Sequence, residues 1–228
     1  MRFSFPPAPV PTVPVVSGDM FPVRRIFCVG RNYADHAREM GSDPVREKPF
    51  FFTKPADAIL ENGSVMPYPP ATENLHHEVE LVVALGGGGR DIPVDRVDAE
   101  HVFGFAVGLD MTRRDLQAAA KAKGQPWDMA KGFDKSAPVS AILPAVQAQG
   151  MSRGRIALRV NGEVRQSGDI ADMIWSVPEL VHELSMLVEL APGDLIFTGT
   201  PAGVGPVARG DRLEATVAGL EPLIITIG

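Results

Sequence analysis

The stretch LHHEVELVVAL, residues 75–85, joins two acidic residues to an unbroken apolar run. Alternate residues of a strand share one face, so Glu78 and Glu80 are predicted to lie side by side where a buried strand begins. Two carboxylates at that spacing repel each other unless a proton or a cation lies between them. The stretch therefore predicts a buried β-strand with an anionic site at its start.

A second apolar segment, residues 102–109, ends in a third acidic residue, Asp110. Together Glu78, Glu80 and Asp110 form a candidate site for a hard divalent cation, because oxygen-only ligand sets suit Mg²⁺ or Mn²⁺. The alternative places the glutamates on the solvated face of an edge strand and makes Asp110 an ordinary helix cap. The glutamate pair alone favours that alternative, and the rest of the chain reverses the preference.

The composition excludes several classes of protein. The 228 residues carry a net charge of -6 without a basic stripe, which argues against nucleic acid as a partner. The single cysteine, Cys28, rules out a disulfide framework, favours a cytoplasmic protein, and has the apolar neighbours of a buried strand thiol. No apolar run reaches the ~18 residues of a membrane span, and the N-terminal segment lacks the apolar core of a signal peptide.

The residue pattern predicts a mostly β, or α+β, chain with peripheral helices. Residues 1–22 are rich in proline and predict an extended lead-in segment, followed by one domain over residues 23–228. Strands and helices do not alternate regularly, which argues against a Rossmann or barrel fold. Asn161 and Gly162 predict a tight hairpin turn. The predicted strands are residues 26–29, 50–53, 78–85, 103–109, 156–160, 163–165, 195–198, 213–217 and 223–227.

Three helices are predicted, over residues 33–40, from 112 to 124, and from 176 onward. The second and third each begin with the residue pattern of a capping box. The third has an apolar face at helical spacing, which predicts that it packs on the core. The capping boxes are Thr112 with Asp115 and Ser176 with Glu179, and the apolar face is Leu180, Val181, Leu184, Leu187 and Val188.

The first predicted helix carries a candidate acid–base pair, His36 and Glu39. Residues three apart are neighbours on one helix face. A carboxylate that accepts from one imidazole nitrogen fixes the tautomer and leaves the other nitrogen free as a base. Such pairs are also common on solvated helices, and that alternative stays open on the spacing alone.

Further polar residues fall near the candidate cation site. Arg114 and Gln117 follow Asp110 by four and seven residues, so all three are predicted to share a helix face. Lys131 is a lone cation among apolar residues, with a solvated side chain as the alternative. Beside a carboxylate cluster, an arginine and a lysine suit an anionic substrate.

The loop GTPAGVG, residues 199–205, follows a predicted strand. No dinucleotide fingerprint and no capped helix accompany it, so a nucleotide site is not predicted. A glycine-rich loop can present backbone N–H groups to a carboxylate, with the Thr200 hydroxyl as an added donor. A plain turn is the alternative.

Taken in order, these motifs resemble the fumarylacetoacetate hydrolase family, in its small single-domain branch. The resemblance runs from about residue 24 to the C-terminus, and the ordered set is more specific than any one motif. It rests on GRNYADH at 30–36, HHEVE at 76–80, LDMT at 109–112, Lys131 and GTPAGVG at 199–205.

The resemblance implies a rolled, mixed β-sheet fold, a homodimer, and a Mg²⁺ or Mn²⁺ cofactor held by the three carboxylates. It also implies that residues 23–228 are a catalytic domain. The implied catalytic residues are His36, Glu39 and Lys131. The implied substrate-binding residues are Arg31, Arg114, Gln117, Lys131, Gly199 and Thr200.

The resemblance further implies an enzyme that hydrolyses a C–C bond in a small anionic β-diketo acid. Residues 50–58 and 165–175 are similar to family members that cleave fumarylpyruvate to fumarate and pyruvate in gentisate breakdown. Acylpyruvate hydrolases and oxaloacetate decarboxylases or tautomerases share the same core and remain alternatives. A non-catalytic divalent-cation module is a more distant one.

Overall fold

We describe a computed structural model of the protein over residues 2–39, 47–148 and 150–228. Met40, the last residue of the first predicted helix, lies outside this part. The helices are α1 Ala34–Glu39, α2 Arg114–Ala122, α3 Asp128–Lys131 and α4 Val177–Leu187. The strands are β1 Thr12–Pro14, β2 Met20–Pro22, β3 Arg25–Gly30, β4 Phe50–Lys54, β5 Ile59–Glu61, β6 Val65–Met66, β7 Leu75–His77, β8 Val79–Leu85, β9 Val102–Leu109, β10 Thr112–Arg113, β11 Ala137–Val139, β12 Leu143–Pro144, β13 Arg155–Val160, β14 Glu163–Asp169, β15 Asp194–Phe197, β16 Gly205–Pro206, β17 Arg212–Val217 and β18 Leu223–Ile227.

The largest sheet has eight strands, in the order β4-β3-β15-β8-β9-β11-β5, with β12 also paired to β9. A five-stranded sheet runs β14-β13-β17-β18-β6, and the smaller sheets are β10-β7-β16 and β1-β2. Parallel pairs such as β3 with β15 occur beside antiparallel pairs such as β8 with β9. The prediction of a mostly β, mixed-sheet fold with peripheral helices is confirmed.

Strand β8 lies inside the large sheet, between β15 and β9, and every residue of it is buried. Its residues Leu81 and Val83 pack into the core shared with the five-stranded sheet. Val82 and Ala84 face a second core on the opposite side. A strand buried on both faces is not an edge strand, so the solvated-face alternative for residues 78–85 is wrong.

The capping box predicted for the second helix is wrong. Helix α2 begins at Arg114, and Thr112 belongs to β10, where its hydroxyl donates to the carbonyl of Asp110. The Asp115 carboxylate instead accepts from the Thr72 hydroxyl at 2.6 Å and from the backbone N–H of Glu73 at 3.0 Å. Tertiary contacts across the chain therefore replace the local cap.

The capping box of the third predicted helix is confirmed, with Ser176 and Glu179 at the start of α4. Leu180, Val181 and Leu184 are buried, as predicted. Leu187 is 66% exposed, so its place on the packed face was wrong, because the helix ends there. None of the helices in the described ranges combines the length and hydropathy needed to cross a membrane.

The N-terminal segment is partly integrated into the fold. Strands β1 and β2 pair as an antiparallel hairpin, and Val13 and Phe21 are buried in the second core. The domain boundary at residue 22 stays a prediction. The hairpin predicted at Asn161 and Gly162 is confirmed, because these residues have φ of 52° and 85° and join β13 to β14.

Candidate active site

The three candidate carboxylates meet where β8 begins and β9 ends. Glu80 faces Gly108 across the two strands, and the backbone N–H of Asp110 donates to the carbonyl of Glu78 at 2.9 Å. One oxygen from each of Glu78, Glu80 and Asp110 lies within 4.8 Å of the other two. All three residues are at most 5% exposed. We call Glu78, Glu80 and Asp110 the carboxylate cluster.

Two buried lysines contact the carboxylate cluster. Lys131 Nζ donates to Glu78 at 2.8 Å and to Asp110 at 2.6 Å, so the alternative of a solvated lysine is wrong. Lys54 Nζ lies 2.8 Å from Asp110 Oδ1 and donates to the carbonyls of Met111 and Lys131. The sequence reasoning missed Lys54, although a lysine ending an apolar strand is the kind of signal that singled out Lys131.

The pKa values of Glu78 and Glu80 are shifted in opposite directions. Burial alone raises the pKa of Glu78, but the cations of Lys131 and Arg114 outweigh it and hold that pKa well below its ordinary value. The pKa of Glu80 is raised well above its ordinary value by burial and by repulsion from Asp110 and Glu78. A proton on Glu80 relieves that repulsion, and a cation between the carboxylates would relieve it in the same way.

The donor set fits a hard divalent cation. It consists of oxygen atoms only, which suits Mg²⁺ and Mn²⁺ better than softer metals. Asp110 Oδ1 is buried, and within the described residues no hydrogen bond satisfies it, although Lys54 Nζ is at ion-pair distance. A buried oxygen in that state can accept a metal ion without losing a hydrogen bond.

The candidate acid–base pair lies on α1, at the edge of the same pocket. His36 is buried, and its Nδ1 lies 3.3 Å from Glu39 Oε2. The backbone N–H of Gly203 donates to both oxygens of Glu39 at 3.2 Å. The loop of residues 199–205 therefore holds the carboxylate that orients the imidazole.

Helix α2 presents Arg114 and Gln117 toward the carboxylate cluster. Arg114 donates to Glu78 and to Gln117, and its Nε contacts the ring of His76 at 3.4 Å. Asp110 precedes β10 and is not on the helix, so the shared helix face predicted for it was wrong. Burial and the nearby Arg114 lower the pKa of His76 from 6.5 to about 4, so the ring is neutral beside that guanidinium at neutral pH.

The glycine-rich loop contacts the carboxylate cluster directly. The backbone N–H of Gly199 donates to Glu80 at 2.7 Å, so the donor that we predicted for a ligand serves a protein carboxylate. Gly199 has φ of +99°, and a Cβ there would lie 2.7 Å from the Cβ of Asn32. Glycine is therefore required at this position on both grounds.

Gln166 is a buried residue that the sequence reasoning missed. Its amide nitrogen donates to the Thr200 hydroxyl at 2.7 Å and to the Pro201 carbonyl at 2.8 Å. Its amide oxygen accepts from the backbone N–H of Val79 at 3.1 Å and contacts the His77 ring at 2.9 Å. Gln166 thus ties the loop to the start of β8, between Glu78 and Glu80.

An aromatic wall, defined here as Phe50, Phe52 and Trp127, closes one side of the pocket. The Trp127 ring meets Phe50 at 5.4 Å and Phe52 at 5.9 Å, both in edge-to-face arrangements. The Arg31 guanidinium lies 5.6 Å from the Phe50 ring centroid. The pocket is lined by Val29, Gly30, Arg31, His36, Phe50, Phe52, Glu78, Glu80, Arg114, Gln117, Lys121, Trp127, Lys131 and Thr200.

The single cysteine does not line this pocket. Cys28 is buried in β3, and burial together with the charge of Asp110 raises the pKa of its thiol well above the ordinary value. A thiol in that state is a poor nucleophile. The prediction of a buried strand thiol is confirmed.

Comparisons with known proteins show that the chain is similar to enzymes named as hydrolases, tautomerases and isomerases. A family model described as fumarylacetoacetate (FAA) hydrolase C-terminal matches residues 25–227. The chain is 46% identical over 197 residues to a mitochondrial oxaloacetate tautomerase of Homo sapiens, which covers 86% of this chain and 88% of that one. It is 44% identical over 182 residues to a fumarylpyruvate hydrolase of Ralstonia sp, covering 80% and 94%.

Solved structures show the same fold over nearly the whole chain. The crystal structure of fumarylpyruvate hydrolase from Pseudomonas aeruginosa in complex with Mn²⁺ and pyruvate matches with a TM-score of 0.96, 50% identity and 99% of each chain. A 5-carboxymethyl-2-hydroxymuconate delta-isomerase from Mycobacterium smegmatis matches with a TM-score of 0.81, 32% identity, and 95% and 80% coverage. The predicted rolled fold and the family resemblance are confirmed.

Proposed function

Because the chain belongs to the fumarylacetoacetate hydrolase family, we propose that it is a divalent-metal-dependent enzyme that hydrolyses fumarylpyruvate to fumarate and pyruvate. The observation that carries the proposal is the placement of the His36–Glu39 pair beside the carboxylate cluster in one pocket. Hydrolysis needs a base for water, and chelation of a 2-keto acid needs a cation. The pocket offers residues for both.

Glu78, Glu80 and Asp110 are the residues that would hold Mg²⁺ or Mn²⁺. The similar fumarylpyruvate hydrolase structure, which contains Mn²⁺ and pyruvate, supports this assignment. When bound, the cation supplies positive charge next to the pyruvoyl end of the substrate, where negative charge develops. Lys54 and Lys131 each form an ion pair with Asp110 and so help to hold the cluster together.

His36 acts as the general base in this proposal. Glu39 accepts from Nδ1, which leaves Nε2 free to take a proton from water. The resulting hydroxide adds to the distal 4-keto carbon of the substrate. General base catalysis of this kind typically contributes about 10²–10⁴-fold to the rate.

The C–C bond then breaks between that carbon and the methylene group. The fumaroyl carbon leaves as a carboxylic acid, and the bonding electrons pass to the pyruvoyl side as an enolate. His36 returns its proton to the methylene carbon, which completes pyruvate. Lys131 and Arg114 face the position of the developing negative charge and lower its free energy.

Oxaloacetate tautomerisation is a second candidate function. The identity of 46% to the human oxaloacetate tautomerase favours it as much as the Ralstonia enzyme favours hydrolysis. Both reactions pass through an enolate of a 2-keto acid, so the same cation and lysines serve either one. They differ in whether water attacks a distal carbonyl.

A product assay separates the two functions. The purified enzyme is supplied with Mg²⁺ or Mn²⁺ and given fumarylpyruvate, acetylpyruvate or oxaloacetate. We expect stoichiometric fumarate and pyruvate from fumarylpyruvate, and release that is about 10²–10⁴-fold slower in the His36→Ala variant. Fast keto–enol exchange of oxaloacetate without release of fumarate from fumarylpyruvate would assign the protein to the tautomerases.

We further propose that the protein works as a cytoplasmic homodimer in gentisate degradation. The resemblance of residues 50–58 and 165–175 to enzymes of that route supports the pathway. The family resemblance supports the homodimer, which light scattering of the purified protein tests directly.

A further inference from the structure

Helix α2 extends one polar face from the carboxylate cluster to the mouth of the pocket. Arg114, Gln117 and Lys121 follow one another at i, i+3 and i+7, which places them on one side of the helix. All three line the pocket. At a rise of ~1.5 Å per residue, Lys121 lies roughly 10 Å farther along the axis than Arg114. The helix therefore spans the inner and outer ends of the site.

The cations at the two ends of the pocket differ in their partners. At the inner end, Arg114 and Lys131 are already paired with protein carboxylates. At the outer end, Arg31 and Lys121 are exposed, and no carboxylate of the described chain pairs with either one. Unpaired cations that line a pocket are free to pair with a carboxylate of the ligand.

Lys121 lies in the last turn of α2, where its positive charge opposes the negative end of the helix dipole. The helix dipole places partial negative charge at this end of α2, and a cation there offsets its repulsion of an approaching carboxylate. Lys121 supplies that cation, and the aromatic wall beside Arg31 suits a flat, conjugated segment between the two ends.

We propose that Lys121, which lines the same pocket as Arg31, binds the distal carboxylate of the substrate and selects elongated dicarboxylic diketo acids over short or uncharged ones. The inference rests on the proposed function, because it assigns the inner end of the pocket to the pyruvoyl group. Fumarylpyruvate is a seven-carbon chain with one carboxylate at each end. Acetylpyruvate has no second carboxylate, and four-carbon oxaloacetate is too short to reach Lys121 from the inner end.

The test compares Lys121→Met with Lys123→Met, a change of the same kind two residues away on an exposed lysine that does not line the pocket. We expect Lys121→Met to raise the KM for fumarylpyruvate roughly three- to tenfold, as for a partly exposed ion pair. Its kcat, and its KM for acetylpyruvate, should stay within twofold of the unchanged enzyme. Lys121→Arg should restore the KM, and Lys123→Met should change neither substrate.

Calorimetric titration of each protein with fumarylpyruvate, acetylpyruvate and oxaloacetate, in the His36→Ala background, gives the same comparison as binding constants. If the wild type releases no fumarate, the proposed function is wrong. The titrations still test whether Lys121 binds the distal carboxylate. A loss of affinity confined to fumarylpyruvate supports the inference. An equal change for fumarylpyruvate and acetylpyruvate, or no change for either, overturns it.

Discussion

The carboxylate cluster and helix α1 contribute to the same pocket but are held in different ways. Glu80 lies in the interior strand β8, and Glu78 and Asp110 lie directly before β8 and directly after β9. All three are almost fully buried, and two buried lysines contact the cluster. Helix α1 has six residues, and the side chain of Glu39 is 35% exposed. The contact between His36 and Glu39 is also longer, at 3.3 Å, than the lysine contacts of the cluster.

The difference indicates that the carboxylate cluster is held rigidly, whereas the base His36 is held less tightly. Charges buried in a sheet keep their positions because any displacement leaves them unpaired, which is costly. A base oriented by a partly exposed carboxylate is less tightly constrained than buried, paired charges, and it can adjust when substrate arrives. We therefore expect changes in the cluster to abolish cation binding, and changes in α1 to slow the reaction while the cation stays bound.

Chelation is the largest expected effect. Excess EDTA should abolish hydrolysis of fumarylpyruvate, and added Mg²⁺ or Mn²⁺ should restore it, because the cluster needs a cation to hold the substrate. Glu80→Gln should lower the affinity for Mn²⁺ by more than the roughly 10–100-fold typical of an outer-shell partner. Steady-state rates and a Mn²⁺ titration check both effects, and full activity in EDTA would end the metal-dependent account.

Removal of the base ranks next. His36→Ala should lower kcat by about 10²–10⁴-fold, because His36 is the residue proposed to take the proton from water. Glu39→Gln should lose less, because it only orients the imidazole. Rapid-quench kinetics on both variants check the order of effects. A larger loss for Glu39→Gln than for His36→Ala would show that the roles within the pair are reversed.

Gln166, which connects the loop of residues 199–205 to β8, should have a smaller effect on the reaction rate. Gln166→Met should lower kcat/KM by roughly 10–100-fold, as for other residues that position a site from behind. It removes the donors to Thr200 and Pro201 and the acceptor for the Val79 N–H, but none of the three carboxylates. The matched control is Gln147→Met, at an exposed position. Equal activities of the two variants would show that Gln166 does not position the loop.

The smallest effect concerns stability at mildly acidic pH. The pKa of His76 is lowered from 6.5 to about 4 by burial and by Arg114, so the unfolded chain binds a proton there before the folded chain does. The free energy of unfolding should therefore fall as pH falls from about 6.5 toward 4. His76→Gln should reduce that slope, as measured by urea unfolding at pH 6.5 and 5. An unchanged slope would mean that His76 is not the group responsible.

The carboxylate cluster was largely predictable from the sequence, whereas the residues around it were less so. The alternation of Glu78 and Glu80 ahead of an apolar run placed both carboxylates on one face, and Asp110 followed from the end of the next strand. Lys54 and Gln166 were not predicted as site residues, because their partners are distant in sequence. Lys54 contacts Met111, 57 residues away, and Gln166 contacts Val79, 87 residues away. The capping box predicted at Thr112 was wrong for a related reason, because the Asp115 carboxylate accepts a hydrogen bond from the distant Thr72.

The most direct test of the central claim is a Mn²⁺ titration followed by electron paramagnetic resonance. Wild type, Asp110→Asn and His36→Ala are titrated under the same conditions, with circular dichroism as the check on folding. We expect His36→Ala to bind one Mn²⁺ with nearly wild-type affinity and Asp110→Asn to bind it at least tenfold more weakly. Loss of Mn²⁺ binding in His36→Ala, with binding retained in Asp110→Asn, would contradict the account.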